Sequence, residues 1–303
     1  MYARITDQLI NNNLLQALNQ TQQSQNNALT QLETGRTVNE PSDNPAAAAL
    51  FSVSQSQSSQ VTQFLQNIVS VNGQLQTGDS ALSSAVNLMN QAVTLATQGA
   101  TGTLSASDRQ ALAQQVAALQ QQMVGVANTT FQGSYIFAGT AAGPAYKLDS
   151  TQPDGVLYQG NTGVNQVDIA PGASAAVNVP GSQIFQNGSG SIFQSLQDLA
   201  TALAANNPAG AQTASTEISA ALGQLNQQRV FYGATVNRLN STTTFLQNEQ
   251  MNITKQQNSL VAADMASSAT LLTAAETARN AVLAAGAQIS HNSLLNYPSP
   301  SLG

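Results

Sequence analysis

The chain has 303 residues, a formal net charge of −6, only 7% charged residues and no cysteine or tryptophan. Disulfides, thiolate catalysis and thiolate metal sites are thereby excluded, and eight thinly spread lysines and arginines form no basic patch for nucleic acid or anionic lipid. Hydrophobic residues at 42% suffice for a core, while aromatics at 5% favour long, thin packing over a thick globular interior. From Ile5 to Leu32, the residues Leu15, Leu18, Gln22, Gln25, Leu29 and Leu32 fall on a 3-4 spacing that predicts one helical stripe. Two amides in that stripe make it weak alone. The start carries no apolar run of secretory-signal length and nothing later approaches a membrane span, so any export is expected without a cleaved signal peptide.

Next comes "LETGRTVNEPSDNPAAAA", Leu32 to Ala49, where ions and helix breakers crowd together. Gly35 is expected to end the first helix with a positive φ, and Pro41 and Pro45 to direct a connector into the next. Asp43 is the expected N-cap of a helix starting near Pro45. Arg36 is placed for an ion pair with Glu33 or Glu40. The helical period resumes through Phe64, Ile68, Val71, Leu75, Gly78, Leu82, Ala85, Met89, Ala92 and Ala96, a coiled-coil type of seam. "GATGTLSASDRQAL" interrupts it, with Ser105 and Asp108 in capping-box positions. Leu112, Val116, Leu119, Met123 and Val126 then carry a helix expected to fold back as a hairpin.

From Tyr135 to about Phe185 the short runs "YIFAGT", "GVLYQGN", "NQVDIA" and "AAVNVPG", punctuated by Gly, Pro and Asn, predict strands and turns. After "SIFQSLQDLATALAAN" returns to helix, Asn207 and Pro208 have the chemistry of a helix start. Ile218, Leu225, Tyr232, Leu239, Leu246, Ile253 and Leu260 follow at seven-residue intervals. Leu271, Ala275, Ala278, Val282, Ala285 and Ile289 continue at 4-3 spacing after an eleven-residue step, a stutter expected to unwind the helix locally without ending it. The expected fold is mainly α: an elongated rod of long antiparallel coiled-coil-like helices from both chain ends, with a small β-rich domain inserted in the middle. The corresponding division is an N-terminal assembly helix and elbow (1–44), a first rod part (45–133), the β-rich insertion (134–191), a second rod part (192–260), and an assembly helix with a Pro-rich tail (261–303).

Chemistry has little to work with. His291 is the sole histidine, so no triad or multi-histidine metal site can be built around it. Asp149, Asp154 and Asp168 read as turn formers ahead of a calcium site. "GTAAG", Gly139 to Gly143, is a turn and not a nucleotide loop. The Asn-x-Ser/Thr triplets at Asn128, Asn187, Asn240 and Asn252 are no more than this composition gives by chance. No enzyme, cofactor or metal is expected. What does stand out is a helix surface of Gln, Asn, Ser, Thr and Ala where exposed rods usually carry interspersed charges, which suits faces that neighbours cover.

Two segments carry a resemblance. "TGRTVNEPSDNPAAA", Thr34 to Ala48, and "ANTTFQGSYIFAGT", Ala127 to Thr140, resemble signatures of the flagellin-like family of flagellar axial proteins, most closely its hook-filament junction members. "YGATVNRLN", Tyr232 to Asn240, and the Ala-rich helix from Thr270 to Leu295 are similar to segments of the wider family. The resemblance implies a structural subunit, exported by the flagellar type III apparatus with the help of an export chaperone. Such a subunit forms a ring with copies of itself between the first junction protein (FlgK type) and flagellin, outside the cell and without membrane or nucleic acid. The family's turn motif covers Gly35, Arg36, Asn39, Pro41, Ser42, Asp43 and Pro45, hypothesised here to be an assembly elbow from which Arg36 reaches a neighbour. Ala127, Asn128, Gly133, Tyr135, Phe137 and Gly139 are its second signature, and the spacing marks Leu15, Leu18, Leu29, Leu32, Leu239, Leu246, Ile253, Leu260, Leu271, Val282 and Ile289 as helix seams. The Pro-rich extension after Tyr297 departs from the family ending and is expected to be disordered. Flagellin itself is the nearest alternative, and a secreted coiled-coil adhesin a more distant one.

Overall fold

A computed structural model describes residues 2–187 and 190–295, with side chains from 8 to 186 and from 191 to 289. Expectations for the side chains of Asn187 and His291 and for the segment from Tyr297 therefore lie outside the described residues. Among the described residues the helices are α1 (Tyr2–Thr34), α2 (Pro45–Gly99), α3 (Ala106–Ala127), α4 (Gly181–Ile184), α5 (Ile192–Ala204), α6 (Pro208–Val261) and α7 (Met265–Leu295). None of the described helices is long and apolar enough to cross a membrane.

The strands are β1 (Thr130–Phe131), β2 (Ser134–Tyr135), β3 (Tyr146–Leu148), β4 (Val156–Tyr158), β5 (Gln166–Ala170), β6 (Ala173–Ala176), β7 (Gln186–Asn187) and β8 (Gly190–Ser191). They pair as four separate antiparallel hairpins and never merge into one sheet. Two strand expectations shift. "YIFAGT" is mostly a turn, because Gly139 takes φ +72 and the Phe137 carbonyl accepts from Gly181 N at 2.7 Å. The strand expected in "AAVNVPG" closes at Ala176 and leaves Val177 to Pro180 buried but outside it.

Two compact units divide the chain: residues 1–59 with 250–303, and residues 60–249. In the second unit, α2 buries Ile68, Val71, Leu75, Leu82, Ala85, Met89, Ala92 and Ala96 on one seam, and α6 buries Ile218, Leu225, Tyr232, Leu239 and Leu246. The seam position Gly78 on α2 is sized for an aromatic partner: an added Cβ would sit 2.5 Å from Tyr232 Cε1. Beside this contact Arg229 Nε meets Asp79 Oδ1 at 2.9 Å. The α2–α3 turn is capped by Ser105, whose Oγ accepts from Asp108 N at 3.1 Å. α3 turns back with Gln91, Thr94 and Leu95 of α2 lining one groove with Gln115, Ala118 and Gln122, while its closest backbone neighbour is α5. Asn207 caps α6 by accepting from Gly210 N, ahead of Pro208.

Arg109 closes the end of this unit. Its buried guanidinium donates to the carbonyls of Gly99 and Thr101 and to Asn206 Oδ1, so one side chain ties the α2–α3 connection to the α5–α6 connection. Among the described residues no carboxylate pairs with it; three oriented neutral acceptors offset its desolvation.

The expected continuous helix from Pro208 to Ile289 is corrected. α6 stops at Val261 and α7 starts at Met265, so the eleven-residue step marks a break. The physical reason is local: Ala263 N donates to Gly35 O at 2.9 Å, and the Asp264 carboxylate accepts from Ala266 N and Ser267 N as a new N-cap.

Candidate assembly surface

The elbow is built from both ends of the chain. Gly35 adopts φ +65 and ends α1, with its N–H on Gln31 O at 2.9 Å. The backbone of Arg36 then pairs with Ala262 in an antiparallel bridge. Thr37 N and Oγ1 both donate to Val261 O, at 2.7 and 3.2 Å. The two helix breaks, far apart in sequence, thus satisfy each other's unpaired backbone groups.

Within this elbow two expectations change. The Asp43 carboxylate does not cap α2; it accepts from Asn39 N and Glu40 N, both at 2.9 Å, and closes the preceding turn. Those bonds, that of Glu40 first, hold the Asp43 carboxyl below its ordinary range. Asn44 is the cap instead, accepting from Ala47 N at 3.1 Å, with Pro45 as the first helical residue. Arg36 makes no ion pair with Glu33 or Glu40 and lies over the Phe51 ring, 4.1 Å from its centroid. Asn39 Nδ2 bonds Arg36 O, and Ser42 Oγ bonds Glu40 Oε2. Pro41 lies exposed in the turn that Asp43 closes.

The terminal helices α1 and α7 pack antiparallel: Ser268 Oγ bonds Gln31 Oε1 at one end, and Gly286 faces Leu14 at the other. Their contact face is one step rotated from the stripe read in the sequence. Leu18, Gln25 and Leu32 are half-buried, but the alternate positions turned inward on α1 are Leu14, Thr21 and Ala28. On α7, Ala275 is buried and Val282 and Ile289 are half-buried, accompanied by Ser268, Leu272, Arg279 and Gly286. Leu15 is therefore 57% exposed, Leu29 39% and Leu271 56%. The 3-4 spacing was compatible with two adjacent faces, and the small residues Ala28 and Gly286 allow the closer helix approach. Ile253 is buried and Leu260 half-buried in the same unit.

The second signature segment anchors the β hairpins. Ala127 is buried, and the Asn128 side chain brackets Tyr146, accepting from its N–H at 2.9 Å and donating to its carbonyl at 2.7 Å. Gln132 and Gly133, with φ 49 and 82, form the two-residue turn between β1 and β2, which leads into half-buried Tyr135. Phe137 sits in an aromatic cluster with Tyr146, Phe185, Phe193 and Tyr158. Gly139 cannot be replaced, since an added Cβ would lie 2.3 Å from Asn161 O.

The aspartates of the hairpin region serve turns and side-chain bonds. Asp149 caps a turn through Thr151, Asp154 accepts from Gln186 at 2.8 Å, and Asp168 lends its carbonyl to Asn67 of α2. Among the described residues no group of three or more His, Cys, Asp or Glu is placed to hold an ion.

A family model for the bacterial flagellin N-terminal helical region matches residues 5–142, and one for its C-terminal helical region matches residues 216–297. The chain belongs to the flagellin-like family. Among its relatives, flagellar hook-associated protein 3 of Salmonella typhimurium is 30% identical over 52% of this chain and 49% of its own length. The Escherichia coli protein of that name is 37% identical over 36% of this chain and 35% of its own length. The flagellin of Listeria monocytogenes is 25% identical over 87% of this chain and 89% of its own length. The chain thus spans half or less of the hook-associated relatives it matches. Among solved structures, a flagellar hook-associated protein from Vibrio parahaemolyticus superposes with a TM-score of 0.67 at 18% identity, over 73% of this chain and all of that one. The Xanthomonas campestris FlgL structure gives 0.59 at 20% identity, over 66% and 98%. These structures share the fold, a mainly helical chain whose middle carries short hairpins. Flagellin-like proteins of this kind are structural parts of the flagellum and not enzymes.

Proposed function

We propose that this chain is a junction subunit of the bacterial flagellum, forming a ring that joins the hook-associated proteins to the flagellin filament. The observation that carries the reading is the ranking of identities: 30% and 37% to hook-associated protein 3, against 25–26% to flagellins. The terminal helices support it physically. Leu15, Leu29 and Leu271 lie exposed on helices that also expose almost no charge, a surface suited to burial against like neighbours. The expected neighbours are further copies of this chain, a FlgK-type junction protein on the hook side and flagellin on the other. Export through the flagellar apparatus with a chaperone belongs to the same proposal, as do the assembly role of the elbow from Gly35 to Pro45 and the division into terminal assembly helices, rod and insertion.

A bulk flagellin is the second reading, favoured by the match over 89% of the Listeria protein. Immunogold labelling of sheared flagella with antibody to the β hairpins separates the two. Gold at one spot between hook and filament is the expected result; gold along the filament would establish the flagellin reading, and unlabelled flagella would overturn both.

A further inference from the structure

Two helix breaks meet at the elbow, and only one of them is written in its own local sequence. α1 stops at Gly35, which takes φ +65, and Pro41 and Pro45 follow. The break between α6 and α7 has no such residue: from Ala234 to Ala285 the chain contains neither glycine nor proline, and positions 262–264 are Ala, Ala and Asp. Alanine is the best helix former, and none of these three residues adopts a positive φ. The eleven-residue step from Leu260 to Leu271 is also one that a continuous helix accommodates. Local propensity and observed structure therefore disagree at this point.

The hydrogen bonds show what decides between them. In an unbroken helix Ala263 N would donate to Ser259 O, and Met265 N to Val261 O. Instead Ala263 N donates to Gly35 O at 2.9 Å, while Val261 O accepts from Thr37 N at 2.7 Å and from Thr37 Oγ1 at 3.2 Å. Arg36 and Ala262 form the antiparallel bridge between those bonds. The elbow thus supplies the acceptor and the donor that the helix gives up at its break. Asp264 caps the restarted α7 and is exposed, a position that a helix interior also tolerates for this residue.

We infer that residues 262–264 are a conformational switch operated by the N-terminal elbow. With the elbow seated, the chain breaks between α6 and α7; with it unseated, the same residues turn helical and join the end of α6 to α7 in one helix. All parts of the switch lie within the unit of residues 1–59 and 250–303. The course of the C-terminal helix then depends on a contact with residues 224 positions earlier in the chain. Backbone groups and one hydroxyl carry that contact, and each has a helical or solvent partner once it opens, so neither state leaves a buried polar group unpaired. The switch is independent of the position that the chain occupies in a flagellum.

The switch can be read by nuclear magnetic resonance in the full-length chain, because the dipeptides Ala263-Asp264 and Asp264-Met265 each occur once in the sequence. Carbon-13 at the carbonyl of the first residue, with nitrogen-15 at the second, gives one resonance for position 263 and one for position 264. In the unaltered chain both carbonyl shifts should lie outside the helical range. Thr37→Pro removes the N–H and the hydroxyl that hold Val261 O. Gly35→Val opposes the positive φ that presents Gly35 O to Ala263. Either variant should move both carbonyls into the helical range and slow exchange of the Met265 amide about tenfold or more, as its bond to Val261 O forms. Asp264→Ala, with the elbow intact, should leave position 264 non-helical. Four results would each overturn the inference: helical shifts already present in the unaltered chain, unchanged shifts in both elbow variants, random-coil shifts with fast Met265 exchange in both, or conversion to helix by Asp264→Ala alone.

Discussion

The helix pairs α2 with α6 and α1 with α7 are spaced by the same 3-4 rule, yet they differ in what they bury. In residues 60–249 the seam is filled: Leu75, Leu82, Met89, Leu225 and Leu239 are at most 1% exposed, and Gly78 receives the ring of Tyr232. In the α1–α7 pair the large residues of the contact face, Leu14, Leu18, Leu32, Leu272, Val282 and Ile289, are only half-buried among Thr21, Gln25, Ala28, Ser268, Ala275 and Gly286, with Leu15, Leu29 and Leu271 turned outward. Apolar burial contributes about 25 cal/mol per Å², so a face whose large side chains stay half-exposed between small and amide ones gains less from pairing. The comparison shows that a heptad-like spacing sets which residues share a face, while how completely the partner covers them decides whether one partner is enough.

The largest effect that sharpens this contrast should come from the aromatic cluster. Phe193→Ala should cost the 60–249 unit about 3–5 kcal/mol, read as a fall in the urea midpoint of the free chain. Next is Asn128→Ala, which leaves the N–H and C=O of Tyr146 without their partner. A loss of about 1–3 kcal/mol in the same titration is expected. Smaller still is a pH effect at the elbow. The folded-state pKa of Asp43 is depressed, so its contribution is complete above the ordinary carboxylate value of 3.8 and is lost as pH falls through the lower folded value. The Asn39 and Glu40 amide resonances should report that loss in acid, and Asp43→Ala should abolish the transition. Smallest in the free chain is Leu271→Ala, within about 0.5 kcal/mol of neutral because the side chain is exposed. The same change should visibly reduce incorporation into flagella; equal incorporation would break the contrast between filled and open faces.

Much of the fold was legible because helical burial follows a regular spacing. Ile68 through Ala96 and Ile218 through Leu246 were placed correctly on their faces for that reason. The phase of the terminal stripes was not legible: positions 14 and 15, or 21 and 22, both satisfy a 3-4 rule, and the choice fell to the tight contact of Gly286 with Leu14. The break at Val261 left a signal in the eleven-residue step and in Asp264, but its cause is a bond from Ala263 to Gly35 that no local pattern contains. At the elbow, Gly35 and Pro45 were readable from backbone restrictions alone. The exchange of roles between Asp43 and Asn44 was not, since both residue types serve as caps and turn closers. The ring stacking of Arg36 on Phe51 depends on how α2 leaves the turn, and the buried Arg109 clamp on two connections whose proximity is tertiary.

The central claim is that the α1–α7 pair is completed by neighbours while residues 60–249 are complete alone. Amide hydrogen exchange on the full chain, free and within isolated flagella, tests it most directly. The account predicts fast exchange at residues 8–32 and 266–289 in the free chain, slow exchange at 68–96 and 218–246, and strong protection of all four stretches after assembly. Terminal helices as protected in the free chain as those of the second unit, with no gain on assembly, would contradict it.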